Sequence, residues 1–127
     1  HCWDAQTDVD EWVRTLGDLV AAGKIRYVGL CNVAGWQLMK ILMVARAVGV
    51  RIASVQMQYS LLPREVEWEV LPCCEHEKVA FLPWSPLKGG WLTGRFKRDA
   101  APDASSRVGA VEAGTRAKMQ VALFPPS

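Results

Sequence analysis

No apolar run in the sequence approaches the roughly 18–20 residues that a membrane-spanning helix needs. No basic segment leads into an apolar one near the start, so nothing reads as a signal peptide. An excess of one charge is also missing: 15 basic and 13 acidic residues leave a formal net charge of +2. That balance offers no reason to expect nucleic acid or an anionic membrane as partner. Cysteine is sparse and poorly spaced. Cys2, Cys31, Cys73 and Cys74 contain no C-x-x-C pair, and vicinal Cys73–Cys74 is a poor disulfide framework. Reduced thiols in a cytoplasmic protein are the expectation. No zinc or other metal site is expected, because His76 lies near Cys73 but no second ligand pair has metal spacing.

What is present is globular. Half of the 127 residues are apolar and 22% are charged, enough for one domain with a hydrophobic core. The opening on His1 and the ending Phe124-Pro125-Pro126-Ser127 point to a piece of a longer protein or a truncated product.

The apolar pattern is regular. Thr7-Asp8-Val9-Asp10 reads as a helix start. Val9, Trp12, Val13, Leu16, Leu19 and Val20 then recur at three- and four-residue steps, one stripe of an amphipathic helix that Gly23 ends. Residues 25–30 read as a strand buried on both faces. Asn32 is expected to cap a second helix, roughly 34–48, which Gly49 ends. Residues 52–58 form the next expected strand. A third helix is expected from about Arg64 to Glu75, with Pro72 kinking or fraying its last turn, followed by a strand over 79–84. Trp3, Trp12, Trp36, Trp68 and Trp91, with Met39 and Met43, are assigned to packing, and Arg64, Glu65, Glu67 and Glu69 to a solvated face.

The expected strand starts fall about 27 residues apart, the rhythm of alternating strand and helix around a parallel sheet. A doubly wound sheet and a TIM-type barrel both fit. No G-x-G-x-x-G turn follows the first strand, as a dinucleotide-binding doubly wound fold would usually show. A barrel needs eight units and about 250 residues, so this chain would supply less than half of one.

In both architectures ligands bind past the C-terminal ends of the strands. Cys31 and Asn32 stand there, then Gln56, Gln58, Tyr59 and Ser60, then Trp84 to Gly90. Asn32 and Gln56 can each donate to and accept from a carboxamide. Trp84 can stack on a ring. Ser85 and backbone N–H groups near Gly89 and Gly90 suit a phosphate. Lys88, Arg95, Lys97, Arg98 and Arg107 add positive charge.

These residues carry a resemblance. Gly23-Lys24-Ile25-Arg26-Tyr27-Val28-Gly29-Leu30-Cys31-Asn32 resembles the aldo-keto reductase stretch G-K-x-R-x-x-G-x-S-N. Gln56 to Arg64 is similar to Q-x-x-Y-S-L-x-x-R, and Trp84 to Arg95 to W-S-P-L-x-x-G-x-L-T-G-K. The similarity covers about residues 1–108. It is greatest to the branch with the potassium-channel β subunits, the aflatoxin-aldehyde reductases and many bacterial reductases.

The resemblance implies an α/β fold, a partial TIM (β/α)8 barrel. Residues 1–94 would be the barrel part, and 95–127 a cofactor-covering loop and irregular tail. It implies NADP(H) as cofactor and a small carbonyl compound as substrate. His1 would be the catalytic histidine. Asn32 and Gln56 would hold the nicotinamide carboxamide, with Cys31 in place of the usual serine, and Trp84 would stack on the ring. Ser85, Pro86, Leu87, Lys88 and Gly89 would run along the pyrophosphate, with Arg95 and Arg107 in the covering loop. The family's catalytic aspartate, tyrosine and lysine have no counterpart here, so the chain alone is expected to be inactive. A regulatory or vestigial protein and a free-standing doubly wound binding domain are the rival readings. Open sheet edges predict self-association.

Overall fold

The computed structural model describes residues 1–96 of the chain. His1–Trp84 is one compact unit, and the segment from Ser85 onward belongs to a second.

Within the first unit, helix α1 (Val9–Ala21) leads to strand β1 (Val28–Cys31), helix α2 (Gly35–Ala47), strand β2 (Ile52–Gln58), a 3-10 turn (Glu65–Glu67), helix α3 (Val70–Glu77) and strand β3 (Ala80–Trp84). The three strands form one parallel sheet in the order β1-β2-β3. This is the strand–helix alternation expected from the spacing.

Local chemistry explains the boundaries. Asp8 caps α1, its carboxylate accepting the Asp10 N–H at 2.9 Å. At the far end Gly23 takes φ +70°, its N–H bonding Val20 O while the Lys24 N–H reaches Leu19 O. Helix α2 repeats the motif: Gly49 has φ +74°, with Gly49 N–H on Arg46 O and Val50 N–H on Ala45 O. Helix α3 places Lys78 in the same left-handed position at φ +57°, with the Val79 N–H on Cys74 O.

The core lies between the sheet and the helices. Leu30, Val55 and Phe81 stand side by side across the register, and Val55 is wholly buried. Val13 of α1 and Leu38 and Ile41 of α2 complete that layer. Neighbouring register positions Cys31, Gln56 and Leu82 alternate to the opposite face, where Gln56 and Leu82 are exposed. Arg46 near the end of α2 pairs with the buried carboxylate of Glu77 at the end of α3.

Several expectations need correction. β1 begins at Val28 rather than 25, because the Lys24 and Ile25 N–H groups both bond back to Leu19 O at the helix end. Tyr27, expected in a buried strand, is exposed. Asn32 does not cap α2. It sits at φ +54°, and Ala34 is the N-cap, with the Gln37 side chain accepting the Ala34 N–H at 2.8 Å. The expected third helix is split into the 3-10 turn and α3, so Pro72 falls in the first turn of α3. There its missing N–H leaves no bond broken, and it neither kinks nor frays the end. Trp36 and Trp68 are 61% and 79% exposed, and Met43 is exposed as well, so packing does not account for them. Trp36 does meet the partly buried Trp3 edge-on, with centroids 5.3 Å apart.

Candidate functional site

The C-terminal ends of the three strands bring Asn32, Gln56 and Trp84 together. The Asn32 backbone N–H donates to Gln56 O at 3.0 Å, and the Trp84 indole Nε1–H donates to Asn32 Oδ1 at 2.9 Å. The Asn32 Nδ2 donates to the backbone oxygen of His1 at 3.3 Å. Asn32 is thus held by three separate stretches of chain, and its left-handed backbone turns it off the end of β1. Cys31 is beside Gln56 in the register, and its Sγ donates to Gln56 Oε1 at 3.4 Å. Burial raises the Cys31 thiol pKa above its ordinary value, which keeps it protonated and a donor. His1 is tied to this cluster through its backbone, and its residue as a whole is exposed.

Ser85, Lys88, Gly89 and Gly90 all have positive φ, at 54°, 50°, 67° and 101°. The Lys88 N–H bonds Ser85 O at 2.8 Å and the Gly90 N–H bonds Leu87 O at 2.9 Å. Gly90 is therefore not the free donor the sequence suggested; the turn itself uses its N–H. Pro86, Leu87 and Arg95 are exposed. Trp91, also assigned to packing, is 51% exposed, and its ring meets that of Phe96 with centroids 5.1 Å apart. Lys97, Arg98 and Arg107 lie outside the described residues.

One network was missed from sequence. The Tyr59 hydroxyl donates to Glu67 Oε1 at 2.6 Å, and Arg64 grips the same carboxylate through Nε and Nη2, both at 2.8 Å. Arg64 first, and then Tyr59, hold the Glu67 carboxyl below the usual carboxylate range. The Tyr59 backbone N–H also bonds Trp84 O at 3.3 Å, and its ring meets Phe81 edge-on. Arg64 and Glu67 at i,i+3 were a visible signal for the ion pair, but nothing local tied Tyr59 to it. The expected solvated face is therefore partly a clamp on the loop after β2. Among the described residues, no group of three His, Cys, Asp or Glu side chains is placed to hold a metal ion.

An indole and two carboxamides at the ends of parallel strands suit a flat, carboxamide-bearing heteroaromatic ring, on donor chemistry alone. Comparison with known proteins bears on the family. The model of the Aldo/keto reductase family matches residues 1–121. The chain belongs to that family. It is 35% identical over 108 residues to an aryl-alcohol dehydrogenase of Pestalotiopsis microspora, covering 84% of this chain and 27% of that protein. It is 37% identical over 98 residues to aflatoxin B1 aldehyde reductase member 2 of Mus musculus, covering 76% and 27%. Norsolorinic acid reductase of Aspergillus flavus is 40% identical over 91 residues, covering 71% and 24%. The chain thus spans about a quarter of the length of these relatives. Its parallel strands alternating with helices are consistent with part of an aldo-keto reductase barrel. No helix of the described residues is long and apolar enough to cross a membrane.

Proposed function

We propose that this chain carries the nicotinamide-holding portion of an NADP(H)-dependent oxidoreductase that interconverts a carbonyl compound and an alcohol. The observation that carries the reading is the convergence of Asn32, Gln56 and Trp84: the Trp84 indole bonds the Asn32 carboxamide at 2.9 Å, and a backbone bond of 3.0 Å seats Asn32 beside Gln56. When bound, the cofactor supplies the hydride. Asn32 and Gln56 would hold its carboxamide, the Cys31 thiol would orient Gln56, and the Trp84 ring would cover one face of the nicotinamide. Ser85, Pro86, Leu87, Lys88, Gly89, Arg95 and Arg107 would contact its phosphates, and His1 would face the carbonyl group. The relatives whose names state a reductase or dehydrogenase activity support this reading. In the same proposal the protein works in the cytoplasm with its thiols reduced. Its sheet also self-associates through the outer edges of β1 and β3, each paired on one side only among the described residues.

Calorimetric titration of the chain with NADPH tests the cofactor reading. Saturable binding weakened about tenfold by Gln56→Ala is expected, from the loss of a hydrogen bond. No heat of binding at millimolar NADPH, from a chain shown to be folded, would refute it.

A further inference from the structure

The environment of Asn32 assigns Trp84 a role besides stacking. An indole N–H can only donate, so the Asn32 atom 2.9 Å from Trp84 Nε1 must be the carboxamide oxygen. A backbone carbonyl can only accept, so the atom 3.3 Å from His1 O must be the carboxamide nitrogen. The two partners set the same orientation independently. The Asn32 N–H to Gln56 O bond holds the backbone beneath it at φ +54°. Trp84 is in turn held through its own carbonyl by the Tyr59 N–H at 3.3 Å.

We infer that Trp84 is a positioning residue: its indole N–H locks the Asn32 carboxamide in one orientation before any ligand arrives. A primary carboxamide has two N–H bonds and two oxygen lone pairs. One of each is already used here, which leaves Asn32 one donor and one acceptor. Another primary carboxamide offers the matching pair. Without the lock only the longer 3.3 Å bond to His1 O would hold the Asn32 side chain, and a ligand would bear more of the cost of ordering it. This inference rests on the reading that the site takes a nicotinamide.

The test uses the full chain, 15N-labelled, with Trp84→Phe, Asn32→Gly and the double variant. Phenylalanine keeps a stacking ring, though a smaller one than the indole, and removes the donor. Glycine removes the Asn32 side chain while accepting its positive φ. In a 1H–15N spectrum the Trp84 indole peak, identified by its loss in Trp84→Phe, is expected to move and to exchange faster with water in Asn32→Gly. Asn32→Asp, which keeps an acceptor for the indole, is expected to preserve the slow exchange. NADPH affinity is expected to fall about tenfold in each single variant and no further in the double, because both remove one coupled device. Independent losses multiplying to about a hundredfold, or an indole peak unmoved in Asn32→Gly, would overturn the inference alone. An intact lock in a wild-type chain that binds no NADPH would overturn the proposed function, leaving the lock purely structural.

Discussion

The three helix ends offer a matched test of what a left-handed residue contributes to stability. Gly23 and Gly49 end α1 and α2 at φ +70° and +74°, while Lys78 ends α3 at φ +57°. A side chain in this region costs roughly 1–2 kcal/mol. Glycine loses about 0.4–1 kcal/mol of that advantage through the freedom of its unfolded chain. Lys78→Gly therefore stabilises by about 0.5–1 kcal/mol, less a few tenths for the lysine charge lost near a helix C-terminus. Gly23→Ala and Gly49→Ala are the mirror experiments. A Cβ at either position meets nothing within 4 Å, so the substitution changes backbone strain and adds no clash. Each is expected to destabilise by about 0.5–1 kcal/mol. Urea unfolding followed by circular dichroism, at one protein concentration, gives all three differences. A neutral or destabilising Lys78→Gly beside a neutral Gly23→Ala would refute the reasoning. It would mean that tertiary contacts, not backbone conformation, decide these helix ends.

Thiol labelling should separate the cysteines. Burial first, and Cys73 second, push the Cys74 thiol up to about 11, so at pH 8 only about one Cys74 in a thousand is thiolate. Exposed Cys2 is expected to react with iodoacetamide well before Cys74, as peptide mass spectrometry would show; equal rates would contradict the buried placement. Acid stability should depend on Glu67. Its carboxyl is lowered below the usual 4.5 by Arg64 and Tyr59, so its stabilising contribution is complete above that value and lost as pH falls through the lower folded value. Glu67→Gln should flatten that part of the stability–pH curve, and an unchanged curve would mean the clamp contributes nothing. Sedimentation velocity should show mass rising with concentration, and a lysine placed in an outer edge strand, as in Leu82→Lys, should oppose it; a monomer throughout would refute edge pairing.

Much of this fold was legible in the sequence because its signals are local. Apolar residues at three- and four-residue steps specify α1 and α2 wherever those helices sit. The two glycines end them because their φ is set within the turn itself. The run 52–58 was read at its true bounds, since β2 lies between two strands and is apolar enough to stand out. Asn32, Gln56 and Trp84 could be proposed as one cluster because parallel strands of regular spacing end on the same side.

Other features depended on where distant chain segments meet. Asn32 looks like a helix cap in any local window. Only the arrival of Trp84, 52 residues on, and His1, 31 residues before, makes it a junction. Tyr59, Arg64 and Glu67 read as an aromatic beside a solvated face until the loop folds them onto one carboxylate. Pro72 looked like a late helix breaker until the start of α3 at Val70 put it in the first turn. By itself the sequence determined the order and approximate extent of the helices and strands, because those preferences act between near neighbours. The tertiary structure alone decided which donor meets which acceptor, because a hydrogen bond depends on positions in space that separation along the chain does not encode.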